Sequence, residues 1–89
     1  MAIYWVNYDL RKSGQNYAGL TKYLESFPWA KPLASSYFVE TNLTSVALRD
    51  GIRHHIDDND AVVVVEASGT NWATVGVVSE VNDWLLAKM

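Results

Sequence analysis

The residues best placed for chemistry follow the run IYWVNYDL (Ile3 to Leu10), where an aromatic and β-branched stretch ends in Asp9 and turns basic at Arg11 and Lys12. A carboxylate at the exit of a strand can ligate a metal ion, or it can bond its own backbone in a turn. Arg11 and Lys12 can neutralise a phosphate nearby, or simply solvate a loop. His54 and His55 are adjacent, so on a helix they point about 100° apart and do not converge on one ion. They fall in the last helical turn, where a cationic side chain is favoured by the helix dipole. Asp57-Asp58-Asn59-Asp60 lacks the Gly and the distal Glu of a calcium loop and reads as a helix exit with a tight turn. Trp5, Phe38 and Trp72 can stack on bases, but such platforms come with surrounding Lys and Arg, so packing is the plainer role. No nucleophile elbow, phosphate-cradling glycine loop or zinc pattern occurs.

The elements that must position these residues follow from periodicity. Ala2 to Asp9 alternates as a strand. The loop LRKSGQN follows, with Ser13-Gly14 as its turn, and Asn16 is the expected N-cap of a helix carrying Tyr17, Leu20, Leu24 and Phe27 at helical spacing. Pro28 and Pro32 stop that helix. A short strand is expected near Ala30 to Ala34 and a longer one from Ser36 to Thr41. Thr44 should cap a second helix striped by Leu48, Ile52 and Ile56. Ala61 to Ala67, with four consecutive Val, is a strand with two apolar faces. Val77, Val81, Trp84 and Leu85 fit a last short helix. The order predicts an α+β, ferredoxin-like βαββαβ sandwich: a four-stranded antiparallel sheet with two helices on one face and a C-terminal helical extension. The chain reads as one domain over residues 1–89, with a core of about 1–67 and an extension at 68–89.

At 89 residues the chain buries only about 60–65% of its unfolded surface, so its core is thin and self-association would help it. Hydrophobic residues make up 49% of the chain, which excludes a disordered chain. No apolar run approaches the length of a membrane span, and no secretory signal opens the sequence. The chain has no Cys, which rules out disulfides and thiolate metal sites and fits a cytoplasmic location. A net charge of −3 argues against nucleic-acid binding driven by a broad positive field.

Strand alternation divides the side chains between two faces. Tyr4, Val6 and Tyr8 are expected under the helices with Tyr37, Val39, Val63 and Val65. The uncovered face is then Trp5, Asn7, Asp9, Ser36, Phe38, Glu40, Val62, Val64 and Glu66. That face is too apolar for water and reads as a homodimer interface, on which Asp9, Glu40 and Glu66 either bind cations or, more plainly, pair across the dimer with Arg11, Arg49 and Arg53. Pairing through the edge of the last strand is an equally allowed geometry.

YWVNYDL followed by an amphipathic helix, then SSYFVET, a second helix and DNDAVVVVE, resembles the small CRISPR-associated endonuclease-like subunit of the CRISPR adaptation machinery, whose fold VapD-like ribonucleases share. The resemblance spans roughly Met1 to Ala67, and the C-terminal segment looks like the ending of another branch of close relatives. It implies a ferredoxin-like homodimer in which Asp9, the Asp at the end of the first strand, is catalytic and a metal ligand. One Asp9 from each subunit would hold Mg²⁺ for phosphodiester hydrolysis, with Arg11 and Lys12 as phosphate contacts. Ser36 and Phe38 match the family's Ser-x-Phe strand. The chain departs from the family in its acidity and in a first helix that holds only Lys22 and Glu25 where a DNA-contacting member is Arg-rich. Two functions are therefore expected: a metal-dependent endonuclease or nucleic-acid-associated scaffold, or a non-catalytic dimeric module that binds another protein.

Overall fold

In a computed structural model the chain forms β1 (Ala2–Asp9), α1 (Ala18–Leu24), β2 (Trp29–Ala30), β3 (Ser36–Thr41), α2 (Ser45–Arg53), β4 (Ala61–Glu66) and α3 (Ser79–Lys88). Residues 1–11 and 17–89 are described; Lys12, the Ser13-Gly14 turn and the Asn16 cap lie outside them. The architecture is α+β. One antiparallel sheet runs in the order β2-β3-β1-β4, so that β3 lies between the two strands that α1 connects.

Some elements start or stop for a local reason. Thr44 caps α2 by accepting the amide of Ala47 at 3.1 Å, which satisfies one of the donors that a helix start leaves free. In α1 the apolar pair Leu20 and Leu24, four residues apart, faces the core. The helix ends at Glu25, ahead of Pro28, which cannot continue it. The carbonyl of Pro28 instead accepts the amide of Glu40 at 3.0 Å. That bond leads into the β2–β3 pairing, so β2 begins at Trp29, one residue before the predicted start, and ends at Ala30, without the predicted stretch to Ala34.

On one side of the sheet Tyr4, Val6, Tyr37 and Val39 pack with Leu20, Leu24, Leu48 and Ile52 of α1 and α2. The two helices meet closely at Gly51: a side-chain carbon there would fall on the Tyr23 phenol oxygen, with its ring carbon Cζ 2.6 Å away. Tyr23 in turn meets Phe27 edge-on at 5.3 Å and His55 at 5.2 Å.

The pairing corrects the expected faces of β4. Tyr4 lies opposite Glu66, Val6 opposite Val64 and Tyr8 opposite Val62. Val62, Val64 and Glu66 therefore share the helix-covered side, and Val63 and Val65 the other. A one-residue shift exchanges every side chain between faces, and four identical valines carry no alternation to set it. Glu66 accordingly leaves the predicted dimer face.

The second side of the sheet is not bare either. Val81 and Leu85 of α3 are buried against Ala30, with Phe38, Trp72, Val77, Trp84 and Met89 around them. Phe38 stacks between Trp5 and Trp84, at 5.8 and 6.5 Å. Ser36, predicted to line a dimer face, is only 1% exposed. Glu40 receives an ion pair from Lys88 of α3 at 3.0 Å. The half of the face predicted to meet a second subunit through Phe38 and Glu40 is thus covered from within, because the C-terminal extension brings its own apolar pair and Lys88 to it.

Candidate functional site

The uncovered half of this face runs along β1 and β4. Trp5, Asn7 and Asp9 alternate along β1, opposite Val65, Val63 and Ala61. Trp5, Val63 and Val65 remain 37%, 59% and 47% exposed. Asp9 stands at the open end of this strip, where Asn7, Tyr8, Asp9, Ala61, Val62 and Val63 line a small cleft of about 220 Å³.

Asp9 is engaged by its neighbour: the Arg11 guanidinium Nε donates to its Oδ2 at 3.1 Å. Both side chains are more than half exposed, so the pair contributes little stability. Arg11 also donates from Nη1 to the carbonyl of Asn59 at 3.3 Å and from its backbone amide to Asp60 Oδ1 at 2.7 Å. Arg11, predicted to contact phosphate, is therefore engaged by groups of its own chain. Sequence reasoning placed Arg11 beside Asp9 but did not see that the turn at 57–60 would meet Arg11.

That turn is organised by Asp60. Its amide donates to the carbonyl of Asp57 at 3.0 Å, which closes the predicted tight turn. Its carboxylate accepts from the amides of Arg11 and Asp57 and from the Tyr17 hydroxyl, the last two both at 2.8 Å. Desolvation pushes the Asp60 carboxyl up, but these donors and the Arg11 charge outweigh it and leave the pKa below the usual 3.8. Asp60 is thus a structural clasp joining the exit of β1, the entry to α1 and the start of β4.

Among the described residues no three His, Asp or Glu side chains converge as a metal site. Mg²⁺ is held by one or two carboxylates together with waters and substrate oxygens. At this end of the strip the Asp9 carboxylate faces Arg11, and the implied Mg²⁺ would be held by the Asp9 of each of two copies. His54 caps the end of α2 and His55 packs on Tyr23, in line with their expected structural roles.

Sequence reasoning missed a cavity of about 510 Å³ between the strip and the C-terminal segment. Trp5, Phe38, Val65, Trp72, Val77 and Leu85 are among its walls, and Asn71 and Thr74 are among its few polar residues. The segment is held by the Thr74 hydroxyl, which bonds Asn82. A second cleft, of about 570 Å³, opens on the helix side of β4, lined by Arg49, Arg53, Asp57, Asp58 and Val62 among others. The first cavity has no signature in the sequence, because it is made by segments distant along the chain, from Trp5 to Met89; the second is built within residues 49–62, where α2 turns into β4. Among the described residues no helix is long and apolar enough to cross a membrane. Compared with family models, curated proteins and solved structures, the chain matches none.

Proposed function

We propose that the chain is a ferredoxin-like homodimer related to the small CRISPR adaptation subunits and that it acts by binding another protein rather than by cleaving nucleic acid. The strand order β2-β3-β1-β4, with α1 and α2 on one face, supports the ferredoxin-like reading, since it is the order of a split βαβ unit. The observation that carries the binding reading is the exposed apolar strip of Trp5, Val63 and Val65, which runs into an apolar cavity. Surfaces of this kind mark interaction sites. The acidic balance of the chain favours a protein over a polyanion. Sedimentation equilibrium from micromolar to millimolar chain tests the association: a dimer is expected, and a monomer throughout refutes it.

A second reading rests on the position of Asp9, at the end of the same exposed strip as Asn7. If two copies met there, their Asp9 carboxylates could share Mg²⁺, whose chemistry would be to polarise a phosphoryl oxygen. Incubation of the protein with RNA and DNA, with Mg²⁺ and with chelator, decides between the readings. Binding without chemistry predicts no cleavage; Mg²⁺-dependent cleavage abolished by Asp9→Ala would establish the nuclease.

A further inference from the structure

β4 is an end strand of the sheet, and its sequence, AVVVVE, contains no Lys or Pro of the kind that blunts an edge. Its free side has a defined phase. The Ala67 amide donates to the Ile3 carbonyl at 2.8 Å, which makes Ile3 and Ala67 a hydrogen-bonded pair. By alternation Ala61, Val63 and Val65 also turn their backbone groups toward β1. Val62, Val64 and Glu66 therefore direct theirs outward.

We propose that β4 pairs antiparallel with β4 of a second copy, with Val64 on the twofold axis, to give a continuous eight-stranded sheet. The proposal rests on the dimer reading above and specifies its interface. A twofold perpendicular to the sheet keeps the helices of both copies on one side, and it pairs outward-facing residues only with outward-facing residues. Registers with Val63, Val64 or Val65 on the axis then compete, and with Val65 there only Val64 and Glu66 pair, in about four hydrogen bonds. With Val63 on the axis, Glu66 of each copy lies opposite Asp60 of the other, acid against acid, and about four hydrogen bonds form within the strands. With Val64 on the axis, about six form. Glu66 then lies opposite Val62, which lines the cleft holding Arg49 and Arg53. Arg49 already pairs with Asp50 at 2.8 Å, whereas Arg53 has no carboxylate partner among the described residues. Charge and hydrogen bonding thus select the same register, in which Glu66 of one copy meets Arg53 of the other. On the opposite face Val63 meets Val65 across the axis, so the two apolar strips join into one surface facing the same way. The same geometry places the two Asp9 side chains about 25 Å apart, three strand spacings across and six residues along, too far to share an ion.

The chain has no Cys, so introduced cysteines report pairing directly. Facing hydrogen-bonded residues have Cα atoms about 5.5 Å apart, within the span of a disulfide of roughly 4.4–6.8 Å. Under mild oxidation Val64→Cys should form a covalent dimer and Val63→Cys should not. The exposed double variant Val63→Cys/Val65→Cys should cross-link as well, which keeps the test valid if Val64→Cys does not fold. Glu66→Arg should weaken the dimer on the order of tenfold, two pairs being lost per dimer, and Arg53→Glu in the same chain should restore it. A dimer in which neither Val64→Cys nor the double variant cross-links overturns the edge pairing while leaving the dimer reading intact. Cross-linking by Val63→Cys alone overturns the register, and a monomer at every concentration overturns both proposals.

Discussion

Replacing Gly51 by Ala tests the packing of α1 on α2. In the interior of a helix Gly is ordinarily the poorer residue, so Gly→Ala alone should stabilise by about 0.5–1 kcal/mol. Here the new methyl would fall on the Tyr23 phenol, with Cζ at 2.6 Å. The ring cannot simply swing aside, because Phe27 and His55 hold it at 5.3 and 5.2 Å. Displacing such a side chain costs typically about 1–3 kcal/mol. The two effects oppose each other and the clash is the larger at its central value, leaving a net loss of about 1 kcal/mol. For a domain of this size that corresponds to a fall in Tm of roughly 4–8 °C. Urea unfolding of Gly51→Ala, Tyr23→Leu and the double variant forms a cycle that isolates the contact. Once Tyr23 is truncated, Gly51→Ala should become neutral or stabilising, so that the double variant loses less stability than the sum of the two single variants. A single Gly51→Ala variant that melts above the native chain would refute the claim that Tyr23 occupies the space of the missing side chain.

Further outcomes are expected from the clasp at Asp60 and from the C-terminal helix. Asp60 has a folded pKa below 3.8, so its contribution to stability is present above that value and is lost as pH falls through the lower folded value. Urea unfolding at pH 7, 4 and 3 should show a loss of stability on acidification that is smaller in Asp60→Asn; equal slopes would rule out the clasp. Leu85 is fully buried between α3 and the sheet, and Leu85→Ala should cost about 2–5 kcal/mol and raise binding of a hydrophobic dye as Phe38 and Trp84 lose their cover. An unchanged melting curve would show that α3 does not cover that face.

The order of strands and helices was legible because each element carried its own signal. Tyr4, Val6 and Tyr8 alternate with Trp5, Asn7 and Asp9; Leu20 and Leu24, like Leu48 and Ile52, repeat at helical spacing; and Thr44 stands where a cap must. Asp9 at the strand exit and the tight turn at 57–60 were legible for the same reason, since both are set within a few residues. What surrounds Asp9 was less so. The bond from the Arg11 amide to Asp60 joins residues 49 apart in sequence, and no local pattern announces a partner at that distance.

Sequence alone determined the class of fold, the two-sided division of β1 and the N-terminal cap of α2, because alternation, helical stripes and caps are properties of neighbouring residues. Only the tertiary structure decided which valines of β4 face the helices, since a run of four equal side chains presents the same pattern in either register and the choice falls to its pairing with β1. Only the tertiary structure, too, decided that α3 would cover half of the second face. An apolar residue such as Leu85 can bury itself on any complementary surface, and the surface it found, at Ala30 and Phe38, exists only once the sheet has formed.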